Sequence, residues 1–166
     1  MKRSSLGRWP CSIARTMDLL GDWWTPLVLR EAFYGIRRFD DFQHGLGIAR
    51  NTLTDRLTRL VAEGLLDKQP YQDKPTRHDY VLTEKGRDFF GVLIAMTRWG
   101  DRWLSSVDGP PVTMRHTGCG QDAHADVVCS ACGEHLTSDD VTMRLGPGYP
   151  ERLKALPEAR RRFPET

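Results

Sequence analysis

The chain has 166 residues, 39% of them hydrophobic and 28% charged, with a formal net charge of +2. That length gives one ordinary domain, or a domain of about 100 residues with an appendage, and that balance describes a soluble globular protein. It excludes a membrane span, since no apolar run reaches about 18 residues, and it excludes an overall charge strong enough to select a partner by itself.

The start, "MKRSSLGRWPCSIARTM", is basic but has no apolar stretch behind it, so no secretory signal is expected. The cytoplasm is the default compartment. There the four cysteines stay reduced and serve as metal ligands, reactive thiols or core residues rather than disulfide partners. "CSIARTMDLLG" reads as a helix with Ile13, Met17 and Leu20 on one face and Gly21 as its stop. "TPLVLREAFYG" is a second helix, with Pro26 in the first turn, where a missing N–H costs nothing. "RRFDDFQHGLG" gives a short third helix holding Phe39, Phe42 and Leu46. After a break at Gly45 and Gly47, "ARNTLTDRLTRLVAEG" places Leu53, Leu57, Leu60 and Val61 along one stripe and ends at Gly64.

There the period changes. "LLDKQPYQ" and "RHDYVLT" are strand-like runs around the turn signal "DKPT". Thr83 is placed to cap one long last helix, "EKGRDFFGVLIAMTRWGDRWLSS". "DGPPVT" at 108 breaks the chain, and a Cys/His segment follows at 113–141. The Pro- and Arg-rich stretch 146–166 reads as a flexible tail with room for one short helix. The expected fold is mostly α with a small β-hairpin. It is a winged helix-turn-helix over 10–106, with a long dimerisation helix and a small Cys/His knuckle tail.

The helix after the glycine turn can be tested for contact with DNA. With Leu57 at the centre of the buried face and about 100° per residue, Asn51, Thr52, Asp55 and Arg59 point outward, with Arg56 and Thr58 at the sides. Arg50 stands at the positive end of the helix, where a phosphate is welcome. Asn and Arg suit bidentate reading of adenine and guanine edges. A solvated face is the ordinary reading of such residues. The tight turn before this helix and the hairpin after it favour the DNA reading. In the hairpin Lys74 and Arg77 are the cations nearest the backbone, flanked by Lys68 and Arg87 and diluted by Asp73 and Asp79.

"CSIARTMDLLGDWWTPLVLREAFYGIRRFDDFQ", "IARNTLTDRLTRLVAEGLL" and "YQDKPTRHDYVLTEKGRDF" resemble the HxlR family of bacterial transcription regulators, relatives of the MarR group. The resemblance spans about Cys11 to Trp103. Its carriers include the R-R-F element, the N-x-L-x-x-R-L helix, the P-x-R-x-x-Y wing and the L-T-x-K-G start of the last helix. It implies a homodimeric, sequence-specific regulator bound to double-stranded DNA, with helix 50–63 in the major groove and hairpin 71–79 as the wing. It does not reach what the tail binds, and it names no inducer.

The last helix points to a dimer independently. Phe89, Phe90, Val92, Leu93, Ile94, Met96, Trp99, Trp103 and Leu104 cover too wide an arc for one partner. A second chain, or a larger core within this one, must cover the rest. Cys11 follows Pro10 and is expected in a first helical turn, near Arg8 and Arg15, where a thiol pKa is lowered. Two readings of Cys11 stand: the redox sensor that some similar proteins have there, and a small buried hydrophobe.

The tail has two knuckles. "HTGCG" offers His116 and Cys119, "CSACG" offers Cys129 and Cys132, and Gly120 and Gly133 follow them. Four closed ligands suit a structural Zn2+, with His124 and His135 as substitutes for His116. The other reading is an unmetallated tail. No enzyme is expected, since no P-loop, dinucleotide-binding glycines or paired nucleophile and base appear. The alternative to a regulator is a metal- or redox-responsive interaction module in which the Cys/His tail or Cys11 defines the activity.

Overall fold

The computed structural model describes residues 5–163. The first residues of the basic start and the last three of the tail lie outside that range. The chain forms two compact units, Leu20–Ala125 and another made of residues up to Leu19 with those from Asp126 onward. Among the described residues no helix is long and apolar enough to cross a membrane.

The Leu20–Ala125 unit contains α2 (Trp24–Phe33), α3 (Phe39–Leu46), α4 (Arg50–Ala62), the hairpin β1 (Leu66–Asp73) and β2 (Thr76–Leu82), α5 (Glu84–Asp88), α6 (Phe90–Leu104) and the short ribbon β3 (Met114–His116) and β4 (Gln121–Ala123). This is the expected winged helix-turn-helix. Its core is Val28, Leu29, Phe42, Leu53, Leu57, Leu60, Leu65 and Leu66, all buried. Burial at 53, 57 and 60 follows the helical period that the sequence carries.

Asp22 starts α2. Its Oδ1 accepts from the Trp24 and Thr25 N–H groups at 2.9 and 3.2 Å, satisfying two of the donors that a helix leaves unpaired at its start. Its Oδ2 takes the Arg56 guanidinium at 2.7 Å, so one carboxylate caps α2 and binds α4. The turn between α3 and α4 closes on Gly47, in the left-handed region at φ 61; Gly45 lies inside α3.

The "LTEKG" stretch fastens the wing to the end of α4. The Thr83 hydroxyl donates to the Gly64 carbonyl at 2.7 Å and accepts from the Gly86 N–H at 3.0 Å, capping α5 as expected. Lys85 Nζ donates to the Glu63 carbonyl at 2.6 Å, at the negative end of α4. Gly86 is buried, and a Cβ there would run into the Leu65 carbonyl oxygen.

Several expectations change. The single last helix is two, α5 and α6, separated at Phe89. Around that residue the Phe89 and Val92 N–H groups reach carbonyls three residues back, which tightens the turn. No residue of α6 is fully buried, but Leu93 and Ile94 are half-buried, and the Phe90 ring meets Phe33 of α2 with centroids 5.3 Å apart, so α6 sets one side against its own domain as expected. In the other unit, save for its last residue, α1 (Ser12–Leu20) forms where expected, but Ile13 and Met17 are exposed and only Leu20 is buried.

That unit also has two short helices where one was expected, α7 (Glu151–Lys154) and α8 (Pro157–Arg162). Pro150 precedes the first and Pro157 begins the second, where fixed φ favours helix entry. The Tyr149 and Phe163 rings pack edge to face at 5.9 Å.

Candidate nucleic-acid interface

Most of the residues expected to read DNA share one outer surface. On α4, Arg50, Asn51 and Asp55 are exposed, and Thr52 and Arg59 are half-buried, opposite a row at Leu53, Leu57 and Leu60 that is no more than 1% exposed. Arg56 differs. Its side chain is 23% exposed and its guanidinium is held by Asp22, so it joins α4 to the start of α2. The first turn of α4 has no acidic residue and its N-cap, Ala49, offers no side-chain acceptor. The positive end of the helix is therefore not neutralised from within.

The hairpin stands beside that surface. Its strands pair antiparallel from Leu66 with Leu82 to Asp73 with Thr76, and the register slips between Pro70 and Gln72. Tyr71 is the residue left over, a bulge next to a proline that has no N–H to give to the ladder. Lys74 and Arg77 are exposed at and beside the turn. A third segment ties the wing to α3: the Tyr80 N–H donates to the Arg37 carbonyl at 2.8 Å, and Arg38 bridges to Asp79.

Between α3, α4 and the wing lies an open cleft of about 490 Å³, whose lining includes Arg38, Arg50, Lys68 and Arg77. The Arg38 guanidinium lies 4.7 Å from the centre of the Tyr71 ring, and that of Arg50 lies 4.7 Å from the centre of Phe39. Sequence reading assigned Arg38 only to a family motif. Its contact with Tyr71 depends on the bulge, for which Pro70 inside a strand run was the available signal.

The two knuckles belong to different units. In the first, His116 Nδ1 stands 3.3 Å from Cys119 Sγ, and the Gly120 N–H donates to the His116 carbonyl at 2.8 Å. In the second, the Gly133 N–H donates to the Cys129 carbonyl at 2.8 Å. Gly120 and Gly133 both have positive φ, 72 and 79, as the turn after a two-ligand knuckle requires. The Ala131 and Cys132 N–H groups directed at the Cys129 sulfur hold that thiol below its ordinary pKa. Among the described residues no group of three or more His, Cys, Asp or Glu is gathered to hold a metal. Cys11 is exposed and lies one residue ahead of α1, its carbonyl accepting from the Arg15 N–H.

The family model described as HxlR-like helix-turn-helix matches residues 19–108. The uncharacterized HTH-type transcriptional regulator Rv3095 of Mycobacterium tuberculosis is 46% identical over 142 residues, which is 86% of this chain and 90% of that protein. PA1607, whose crystal structure describes it as a candidate transcription factor, aligns with a TM-score of 0.75 at 33% identity, over 84% of this chain and 98% of that one. PA1374 of Pseudomonas aeruginosa, described in the same way, aligns at 0.62 with 39% identity, over 87% and 98%. These likenesses are longer than the family match, so they take in part of the chain outside it.

Proposed function

The chain belongs to the HxlR-like helix-turn-helix family, and from that membership we propose a homodimeric transcription regulator that binds double-stranded DNA with α4 in the major groove and the β1–β2 hairpin against the flanking backbone. The observation that carries this reading is the division of α4 into two faces. Leu53, Leu57 and Leu60 are locked in the core, which fixes the helix, and Arg50, Asn51 and Asp55 stand outward on the other side. Asn51 and Arg59 supply base-edge donors and acceptors, Arg50 lies at the positive end, and Lys74 and Arg77 meet phosphates. Thr52 and Asp55 complete the outward face. Arg56 supports it from behind through Asp22.

The dimer rests on α6. Val92, Met96, Trp99 and Trp103 recur at spacings of four, three and four and are all exposed, Trp99 at 59% and Trp103 at 62%. An apolar stripe of that size and period is covered most simply by another helix, and a second copy supplies one. Two-fold symmetry then sets two recognition helices about one DNA turn apart, matching a palindromic site.

From the spacing of its knuckles in the sequence alone, the tail is read as the holder of one structural Zn2+ on His116, Cys119, Cys129 and Cys132. Support comes from the donor types, the matching glycine turns and the lowered thiol pKa of Cys129. The deciding experiment is selection of bound DNA from a random pool by the full chain, repeated with chelator and with oxidant. The expected product is an inverted repeat that survives chelation, and recovery of no preferred sequence would overturn the reading. A preference that oxidant abolished in wild type but not in Cys11→Ser would favour the redox module instead.

A further inference from the structure

On a double helix the major and minor grooves are separated by one sugar–phosphate strand. With α4 in the major groove and the hairpin beside the adjoining minor groove, that strand has to pass between α4 and the hairpin. The cleft of about 490 Å³ lies there. We propose that this cleft seats the strand, with Arg38 as a phosphate-binding residue alongside Arg50 and Lys68. The proposal rests on the reading of α4 and the wing given above.

Two arginines are oriented for this task. Arg38 lies over Tyr71 and Arg50 over Phe39, each 4.7 Å from the ring centre. A cation over an aromatic face is held by the ring quadrupole and keeps its N–H donors for another acceptor. Their carboxylate neighbours hold them loosely: Arg38 Nε is 4.0 Å from Asp79 Oδ1, and Arg50 Nη1 is 3.6 Å from Asp40 Oδ1. Both separations exceed the length of a charge-assisted hydrogen bond, about 2.7–2.9 Å. A phosphate oxygen can thus take a bond that no carboxylate now holds at full strength.

The charge also fits. Arg38, Arg50, Lys68 and Arg77 line the cleft against the carboxylates Asp40 and Asp41, so the lining is net positive and attracts a polyanion. Both arginine side chains are well exposed, at 61% for Arg38 and 68% for Arg50. The bulge gives this arrangement its geometry, because Tyr71, the residue outside the ladder register, is the one that carries Arg38.

The test uses the full chain and the DNA selected from the random pool. Arg38→Ala should lower affinity for selected and unrelated DNA alike. Its slope of log affinity against log salt should fall by about one unit. Arg38→Lys, which keeps the charge, should restore that slope. Tyr71→Ala should weaken binding with the slope kept, since it removes orientation and no charge. Asp40→Asn should tighten binding to every sequence. Single phosphates of the selected site are then replaced in turn by uncharged methylphosphonate. Wild type should lose affinity at one phosphate per half-site to which Arg38→Ala is indifferent. Thermal melts confirm that the variants are folded, and Arg38→Lys serves if the alanine variant is not. If no phosphate position is coupled to residue 38 while Asn51→Ala still relaxes base preference, the cleft assignment falls and the α4 reading stands. If wild type binds no DNA, both fall.

Discussion

Asp22 shows how one side chain sets a surface it does not belong to. It caps α2 with one oxygen and holds Arg56 with the other. Arg56 Nε is already buried without a hydrogen-bond partner, so loss of the carboxylate leaves the guanidinium poorly satisfied in a half-buried place. Asp22→Ala should therefore cost about 2–3 kcal/mol of stability, the sum of a lost cap and a broken part-buried pair. Asp22→Asn keeps an acceptor for the cap and should cost less. Urea unfolding of both variants measures the difference, and equal losses would show that the charge on Asp22 has no part. On the outer side of the same helix, Asn51→Ala or Arg59→Ala should weaken binding to the selected site by about 1–3 kcal/mol and relax preference at particular base pairs. Binding titrations on single-substituted sites give that answer; a loss spread evenly over all sites would assign these residues to phosphates.

Among the elements, the junction of α4, the wing and α5 depends on a residue with no side chain. Gly86 is in helical territory, and the obstacle to a larger residue is space, because the Leu65 carbonyl occupies the position of its Cβ. Gly86→Ala should destabilise the chain by about 1–3 kcal/mol through overpacking. Gly91, in α6, meets nothing within 4 Å, and Gly91→Ala should raise stability by up to about 1 kcal/mol through helix propensity alone. Paired denaturation curves decide. A neutral Gly86→Ala would mean that α5 can shift away from β1, and the wing would then be less firmly fastened to α4 than its hydrogen bonds indicate.

For the whole molecule, α6 and the tail carry the remaining predictions. A charge in the exposed stripe should oppose the proposed dimer. Trp99→Glu should sediment as a monomer and bind the inverted repeat more than about tenfold more weakly, because the second half-site no longer benefits from a linked partner. A dimer that persists in this variant would move the interface away from α6. Metal content is tested by elemental analysis of wild type and Cys132→Ser. One zinc per chain is expected in the first and little in the second. Chelation should loosen the segment from about Thr113 to Val141, read by proteolysis, and leave the core of α2–α4 folded, since that core is made of residues upstream. Wild type purified without chelator and free of zinc would remove the metal from the account.

The sequence by itself determined the elements of the winged helix. The row at Leu53, Leu57 and Leu60, the glycine turn before it, the "DKPT" hairpin and the Thr83 cap are local patterns, and local patterns survive in one dimension because helix period, turn chemistry and capping are set by near neighbours. The outward set on α4 was legible for the same reason: once the buried row is known, the opposite face follows from rotation. Tertiary structure decided what depends on distant residues meeting. It turned Arg56 inward to Asp22 and placed Arg38 over Tyr71. Asp22 and Arg56 are 34 positions apart and Arg38 and Tyr71 are 33. No periodicity relates residues so far apart, and only the packing of the elements that carry them brings their side chains within reach.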